Sequence, residues 1–411
     1  MTVRARTAIP LLLPLAFAGC FRTETIDLGG DAGLGDTLDT GAPTLRGLDL
    51  VFVVDDSGSM AEEQAVLSTS VFSLVNALVS PASGAGYAAV DDLRVAVVST
   101  DMGVSANGEI PSASITPPSL QSYLNFGDDG AFLESSIDTI EIQDGVIPCD
   151  GDPRQCPPGW ACEDWACASP DTGTAVDCPN GDEKFEEVTP DAGADEAFGT
   201  EIACLTSLGT TGCGWEQQLA AAARATQRDD QASFFRDGAG LAFVVVTDED
   251  DCSMDDPAGL FASEECQDAT KLNVACGEHP EFLHTAAYYE EALVAAKGGD
   301  AASVFFAAIV GVPADSTCQG SGTEVGDCLD VPGMQLTEFV DDSTGTALTM
   351  YEPACQRLVD GEIVTSAIPG RRYVELAGLL GPNAYVSSIC NEDWTEPLSA
   401  FAAMIAGALG E

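Results

Sequence analysis

Apolar residues recur along this chain in two alternating patterns. Leu50-Val51-Phe52-Val53-Val54, opening an ordered region at Leu48, is an unbroken run rich in β-branched and aromatic residues. Such runs mark strands buried on both faces of a parallel sheet. Similar runs occur at Leu93–Ser99, Leu241–Val246, Val304–Val310 and Tyr385–Ile389. Between them the spacing changes. Leu67, Val71, Leu74 and Leu78, with Val75 and Val79 beside them, form one face of a helix. Helices are also predicted at Trp215–Gln227, Phe282–Lys297, Tyr373–Leu380 and Asp393–Leu409. Strands alternating with helices predict an α/β fold, a doubly wound and mostly parallel sheet, in which ligands bind outside the C-terminal strand ends.

Two stretches interrupt the alternation. Residues 102–200 are rich in Pro and Gly and hold Cys149, Cys156, Cys162, Cys167 and Cys178, while residues 312–350 hold Cys318 and Cys328. Structureless loops of such length are uncommon inside a domain, so both read as disulfide-stapled insertions, the Cys-rich one at about 146–180. Residues 1–20 form a separate object: Arg4 and Arg6 precede a short apolar run, Ile9 to Ala18. The run is too short to span a bilayer as a helix and reads as an export signal. Phe17-Ala18-Gly19-Cys20 resembles a bacterial lipobox, which implies lipidation of Cys20 and a place in the cell envelope, at the outer membrane. The other reading is cleavage after Ala16-Phe17-Ala18 and secretion. Residues 21–46, rich in Gly, Asp and Thr, predict a flexible acidic linker to an ordered part spanning 47–411.

Composition narrows the class. The 411 residues carry 67 Asp and Glu against 15 Lys and Arg, a formal charge of −52, with 45% apolar content. That apolar share is globular. Nucleic acid and acidic headgroups are bound through clustered cations, and only three lysines exist, Lys184, Lys271 and Lys297. The expected partners therefore exclude nucleic acid, and a membrane is met only through the N-terminal lipid. Setting Cys20 aside leaves 14 of 15 cysteines, an even number in an exported chain, which predicts disulfides rather than zinc. Pairings stay open; Cys213–Cys252 and Cys204–Cys213 are both candidates.

The first strand ends at Asp55-Asp56-Ser57-Gly58-Ser59. In an extended loop alternate residues face one way, so Asp55, Ser57 and Ser59 can converge. Carboxylate plus hydroxyls is an all-oxygen donor set suited to a hard divalent cation. The Leu241–Val246 strand runs into Thr247-Asp248-Glu249-Asp250-Asp251, and Gly209-Thr210-Thr211-Gly212 precedes the Trp215 helix. These three elements, in this order, resemble the von Willebrand factor A family. The resemblance covers roughly 47–411 if the insertions are allowed, and it implies the Rossmann-like fold of that family. It also implies a metal-ion-dependent adhesion site at Asp55, Ser57, Ser59, Thr210 (or Thr211) and Asp248, holding Mg²⁺, with Ca²⁺ or Mn²⁺ as alternatives. In that family one or both aspartates act through water, so the metal keeps charge and an open position for a partner's carboxylate. The partner would be a protein or a surface polymer.

Other readings compete. Asp55, Ser57 and Ser59 are also residue types that cap helices. Asp56, Glu249, Asp250 and Asp251 read as a solvated acidic rim, and Asp101 as structural. His279 and His284, the only histidines, lie near Cys276 and read as a surface loop with a disulfide-bonded Cys276 rather than a zinc site. The chain has no Gly-x-Ser-x-Gly, no Gly-Lys-Ser/Thr phosphate loop and no His-Glu-x-x-His. A non-enzymatic binding protein is expected; a metal-dependent envelope hydrolase and a structural protein with a stabilising metal are the alternatives.

Overall fold

The computed structural model describes residues 47–410 except 82, 135–138, 142–160, 164–165, 169–174, 179–183, 189–195, 315–316, 343–344 and 360. The predicted export signal, Cys20, the 21–46 linker and most of the 146–180 insertion lie outside the described residues. The strands of the main sheet are β1 (Gly47–Val54), β2 (Asp92–Ser99), β3 (Phe185–Val188), β4 (Ala239–Val246), β5 (Val304–Val310), β6 (Gly320–Ser321) and β7 (Ala384–Ser388). They form one seven-stranded sheet in the order β6-β7-β5-β4-β1-β2-β3. The five inner strands are parallel, and the two edge strands are antiparallel.

The long helices are α1 (Ala61–Val79), α2 (Glu196–Leu205), α3 (Gln218–Gln227), α4 (Ala286–Ala295), α5 (Arg371–Leu380) and α6 (Thr395–Leu409). Side chains alternate across a strand, and β1 divides accordingly. Leu48, Leu50, Phe52 and Val54 join a core with residues of α1, α2 and α6, whereas Val51 and Val53 join a core with residues of α3, α4 and α5. Helices therefore cover both faces, which is why β4 carries no polar side chain and β1 only Asp49, paired with Arg236. A third core, including Trp215, Phe261 and Cys266, lies under the connections after β4.

The chain passes from β1 outward to β2 in one direction and from β4 through β5 to β7 in the other. The strand order thus reverses between β1 and β4. Register aligns their ends: Val54 pairs with both Val246 and Ser99, so Asp55, Thr247 and Thr100 leave the sheet at one level.

Several expectations need correction. The Trp215 helix starts only at Gln218, because Asp251 Oδ1 and Ser253 Oγ accept the Leu219 and Ala220 N–H groups (2.9 and 3.0 Å), while Trp215 turns into the third core. The Phe282 helix begins at Ala286, since Pro280–Phe282 makes a separate 3-10 turn and the Thr285 hydroxyl accepts the Tyr288 N–H. Elements that the sequence pattern did not announce also join the fold: Phe185–Val188 and Gly320–Ser321 are sheet edges, and Glu196–Leu205 is a core helix. Hairpins form from Glu338–Asp341 with Leu348–Tyr351 and from Cys355–Val359 with Glu362–Ala367.

Disulfides join Cys178 to Cys204, Cys252 to Cys276, Cys318 to Cys328 and Cys355 to Cys390. Cys276 is therefore bonded, as expected. Both pairings considered for Cys213 are wrong, because Cys204 and Cys252 have other partners. Cys213 and Cys266 are buried free thiols. Among the described residues no helix is long and apolar enough to cross a membrane.

Candidate metal centre

The site begins where parallel pairing ends. Asp55 N–H still donates to the Val246 carbonyl (3.0 Å), which prolongs the ladder by one residue and fixes the Asp55 backbone beside β4. The Asp55 side chain is fully buried, with each oxygen committed. Oδ1 accepts the Ser57 N–H at 2.8 Å, a local turn that Asp supports readily. Oδ2 accepts the Thr247 hydroxyl at 2.6 Å. Thr247 Oγ1 in turn accepts from Gln218 Nε2 and from the Glu249 N–H, both at 3.1 Å. The Ser57 and Ser59 hydroxyls lie 3.2 Å apart, and Ser59 donates to Asp248 Oδ1 at 3.2 Å. Asp55, Ser57, Ser59 and Asp248 therefore stand in one hydrogen-bonded cluster. Asp55, Ser57 and Asp248 are buried and Ser59 is exposed, so the cluster opens to solvent on the Ser59 side. None of the three loop residues caps α1: its N-cap is Met60, and no side chain accepts there.

Thr210 reaches the cluster differently. Gln64 Nε2 donates to both the Asp55 and the Gly209 carbonyls at 2.8 Å, and Gln64 Oε1 accepts the Gly209 N–H at 3.0 Å. Gly212 N–H donates to the Asp56 carbonyl at 2.8 Å. Two clasps thus hold 209–212 against the Asp55 loop, with half-buried Thr210 and exposed Thr211 between them. Gly209 takes φ +81°, a conformation that favours glycine, and a Cβ on Gly212 would lie 2.2 Å from Asp56 Oδ1 and displace that carboxylate. Among the described residues no hydrogen bond joins either threonine to Asp55, Ser57, Ser59 or Asp248; they are neighbours of the cluster rather than members.

The charge around the cluster is unopposed. Burial raises the Asp55 carboxyl above its ordinary range. Burial pushes Asp248 up to about 8, with Glu249 and Asp55 adding to it. Asp56 rises to about 7 through burial, reinforced by Asp55, Asp101 and Asp128, and Glu249 to about 7 through burial and Asp55. Glu216 is held well above its ordinary range by burial and by Glu249. No Lys, Arg or His is among the principal influences at these five positions. Asp56 Oδ1, Glu216 Oε1 and Thr100 Oγ1 are buried without a hydrogen-bond partner among the described residues. Buried charge of one sign, with orphaned oxygens, calls for protons or a cation.

Of the acidic rim expected from the sequence, Asp56, Glu249 and Asp250 are half-buried and Asp251 lies inside. Asp251 is buried; its Oδ2 accepts Arg372 Nε at 2.9 Å, and its Oδ1 holds the α3 start. Asp250 Oδ1 accepts the Arg372 N–H at 3.1 Å. Both are structural, because the chain after Asp248 dives inward toward the Cys252–Cys276 bridge. Asp101 accepts the Gly103 N–H at 2.8 Å, a loop role as expected. His279 engages Glu265 at 2.8 Å, and His284 engages Asn107 at 2.8 Å and stacks on Tyr288, so the two histidines serve separate contacts.

Among the described residues no group of three or more His, Cys, Asp and Glu side chains is arranged to hold a metal ion. The donor set is instead two carboxylates linked by hydroxyls, all oxygen, which fits a hard cation that keeps several waters. Two residues escaped the sequence reading. Thr247 was context for Asp248, yet its hydroxyl saturates Asp55 Oδ2. Gln64 had a visible signal: it interrupts the stripe Met60, Leu67, Val71, Leu74, Leu78 at helical spacing, and is buried there. Comparison with protein-family models finds no match for this chain, and comparison with curated proteins finds none either.

Proposed function

We propose that residues 47–411 form a von Willebrand factor A-like domain whose metal-ion-dependent adhesion site captures a protein or surface polymer through a carboxylate. Asp55, Ser57, Ser59, Thr210 and Asp248 would hold the metal, Mg²⁺ foremost, with Ca²⁺ or Mn²⁺ as alternatives. The observation that carries this reading is the position of the oxygen cluster, at the C-terminal ends of β1 and β4 where the strand order reverses. That crevice is where open α/β sheets bind ligands.

A divalent cation bound there supplies the positive charge to which an acidic group is drawn. The chain's own residues do the rest. Thr247 and the Ser57 N–H fix Asp55 in one rotamer, and Ser59 orients Asp248. Gln64 and Gly212 hold the Thr210 loop within reach. Desolvation of the surrounding carboxylates favours whatever neutralises them. The disulfides support a setting outside the reducing cytoplasm. Within that setting the reading is a cell-envelope protein anchored by lipid on Cys20, with a secreted form as the alternative.

The test is capture from envelope extract in Mg²⁺ and in EDTA, comparing wild type with Asp55→Ala and Asp248→Ala, alongside calorimetric titration with Mg²⁺ and Mn²⁺. Capture should need metal and fail in both variants. Capture that persists in EDTA refutes the adhesion reading.

A further inference from the structure

A cavity of about 520 Å³ opens directly beside the metal centre. Glu249, the residue after Asp248, lines it, and so does Ile368, whose N–H donates to the Asp248 carbonyl at 2.9 Å. Its volume is within the range of pockets that enclose a ligand group. Trp215, Leu272, Leu283 and Tyr351 supply apolar wall. Five acidic residues, Glu216, Glu249, Asp250, Asp251 and Glu375, line it together with two basic ones, Arg371 and Arg372. Arg372 is taken up by Asp251 Oδ2 and the His284 carbonyl, and Arg371 donates to the Leu329 and Met334 carbonyls. Among the described residues Glu216, Glu249 and Glu375 make no ion pair.

Two orphaned atoms specify what the cavity lacks. Glu216 is 3% exposed and its Oε1 accepts nothing, while Trp215 is 4% exposed and its indole N–H donates to nothing among the described residues. One is an acceptor and the other a donor; Glu216 also shares a hydrogen bond with Glu249, and burial favours the neutral form of both until a cation offsets it. An arginine or lysine residue in a peptide answers both, with a cation for Glu216 and a main-chain carbonyl for Trp215; its aliphatic stem suits the apolar wall.

We propose that this cavity receives a basic side chain of a protein partner, at a residue close to the one whose carboxylate reaches the metal centre. The link to the carboxylate rests on the function proposed above; the cavity's preference for a cation does not. The partner is thus a protein displaying a basic residue beside an acidic one.

Titration calorimetry of the full chain with N-acetyl-arginine-N-methylamide and with its citrulline isostere tests the cavity on the wild-type protein alone. The arginine probe should bind saturably, at least fivefold tighter than citrulline, and equally in Mg²⁺ and EDTA. Glu216→Gln, checked for an unchanged melting temperature, should lose at least tenfold. Equal binding of the two probes, or arginine binding undiminished in Glu216→Gln, overturns the proposal. A peptide joining aspartate to arginine should gain at least tenfold over the arginine probe in Mg²⁺ and not in EDTA. Arginine selectivity with no gain from Mg²⁺ upholds the cavity and overturns the metal reading.

Discussion

Gln64 offers the sharpest test of how the centre is assembled. Its amide spans two loops, giving two hydrogen bonds of 2.8 Å to the Asp55 and Gly209 carbonyls and accepting a third of 3.0 Å from the Gly209 N–H. Gln64→Leu keeps the shape and the helix but leaves all three backbone groups unpaired. At roughly 1 kcal/mol of net stability per hydrogen bond the loss is about 3 kcal/mol. Burying a leucine in the α1 stripe returns ~1 kcal/mol, so a net loss of about 2 kcal/mol is expected. Urea denaturation reads this as a lowered midpoint with an unchanged slope. Amide exchange should speed up at Gly209, and Mg²⁺ affinity should fall because the Thr210 loop loses one of its two clasps. Gln64→Glu keeps the acceptor for Gly209 but removes both donors and adds charge beside Asp55, so it should be worse than leucine. A Gln64→Leu protein within 0.5 kcal/mol of wild type (roughly the spread of neutral surface changes), with unaltered Gly209 exchange, refutes the clasp.

The remaining predictions concern charge and covalent constraint. Asp248, Asp56 and Glu249 sit at about 8, about 7 and about 7, above their ordinary values, so the folded state holds protons that the unfolded chain releases. The sign follows: stability is full below the unfolded values near 4 and is lost as pH rises toward 8. Each group contributes at most about 1.4 kcal/mol for every pH unit separating its folded from its unfolded value. Thermal scans in EDTA should show melting falling between pH 5 and 8, and Mg²⁺ should raise it more at pH 8 than at pH 5.5; a metal effect independent of pH contradicts this. Separately, Cys355–Cys390 spans 35 residues and ties the second hairpin to the end of β7. Replacing both by alanine should cost about 4 kcal/mol on chain-entropy grounds, and denaturation of the double variant within 1 kcal/mol of wild type would count against that role.

What was legible in the sequence was legible for a physical reason. β1, β2, β4, β5 and β7 are buried on both faces for most of their length, so their apolar residues cluster in runs that survive any reading of the loops. The Asp55-x-Ser57-x-Ser59 spacing carries its own geometry, and Asp248 follows a buried strand, so both placements follow from local rules. Elements stabilised from outside were not legible. Phe185–Val188 is an edge strand of only four residues whose partner is about ninety residues away, and Gly320–Ser321 is shorter still. Nothing in Phe-Glu-Glu-Val alternates strongly enough to announce a strand; pairing to β2 makes it one. The same holds for charge. Asp250 and Asp251 look like solvent-facing acids in a run of four, yet Arg372, more than a hundred residues later, draws them inward. Glu216 and Glu249 enter the interior without such a partner. A chain of charge −52 has acids to spare for its surface, so burying unopposed ones costs stability that a solvated position would have kept. Their concentration beside the strand-order reversal thus agrees with the binding role proposed for this end of the sheet.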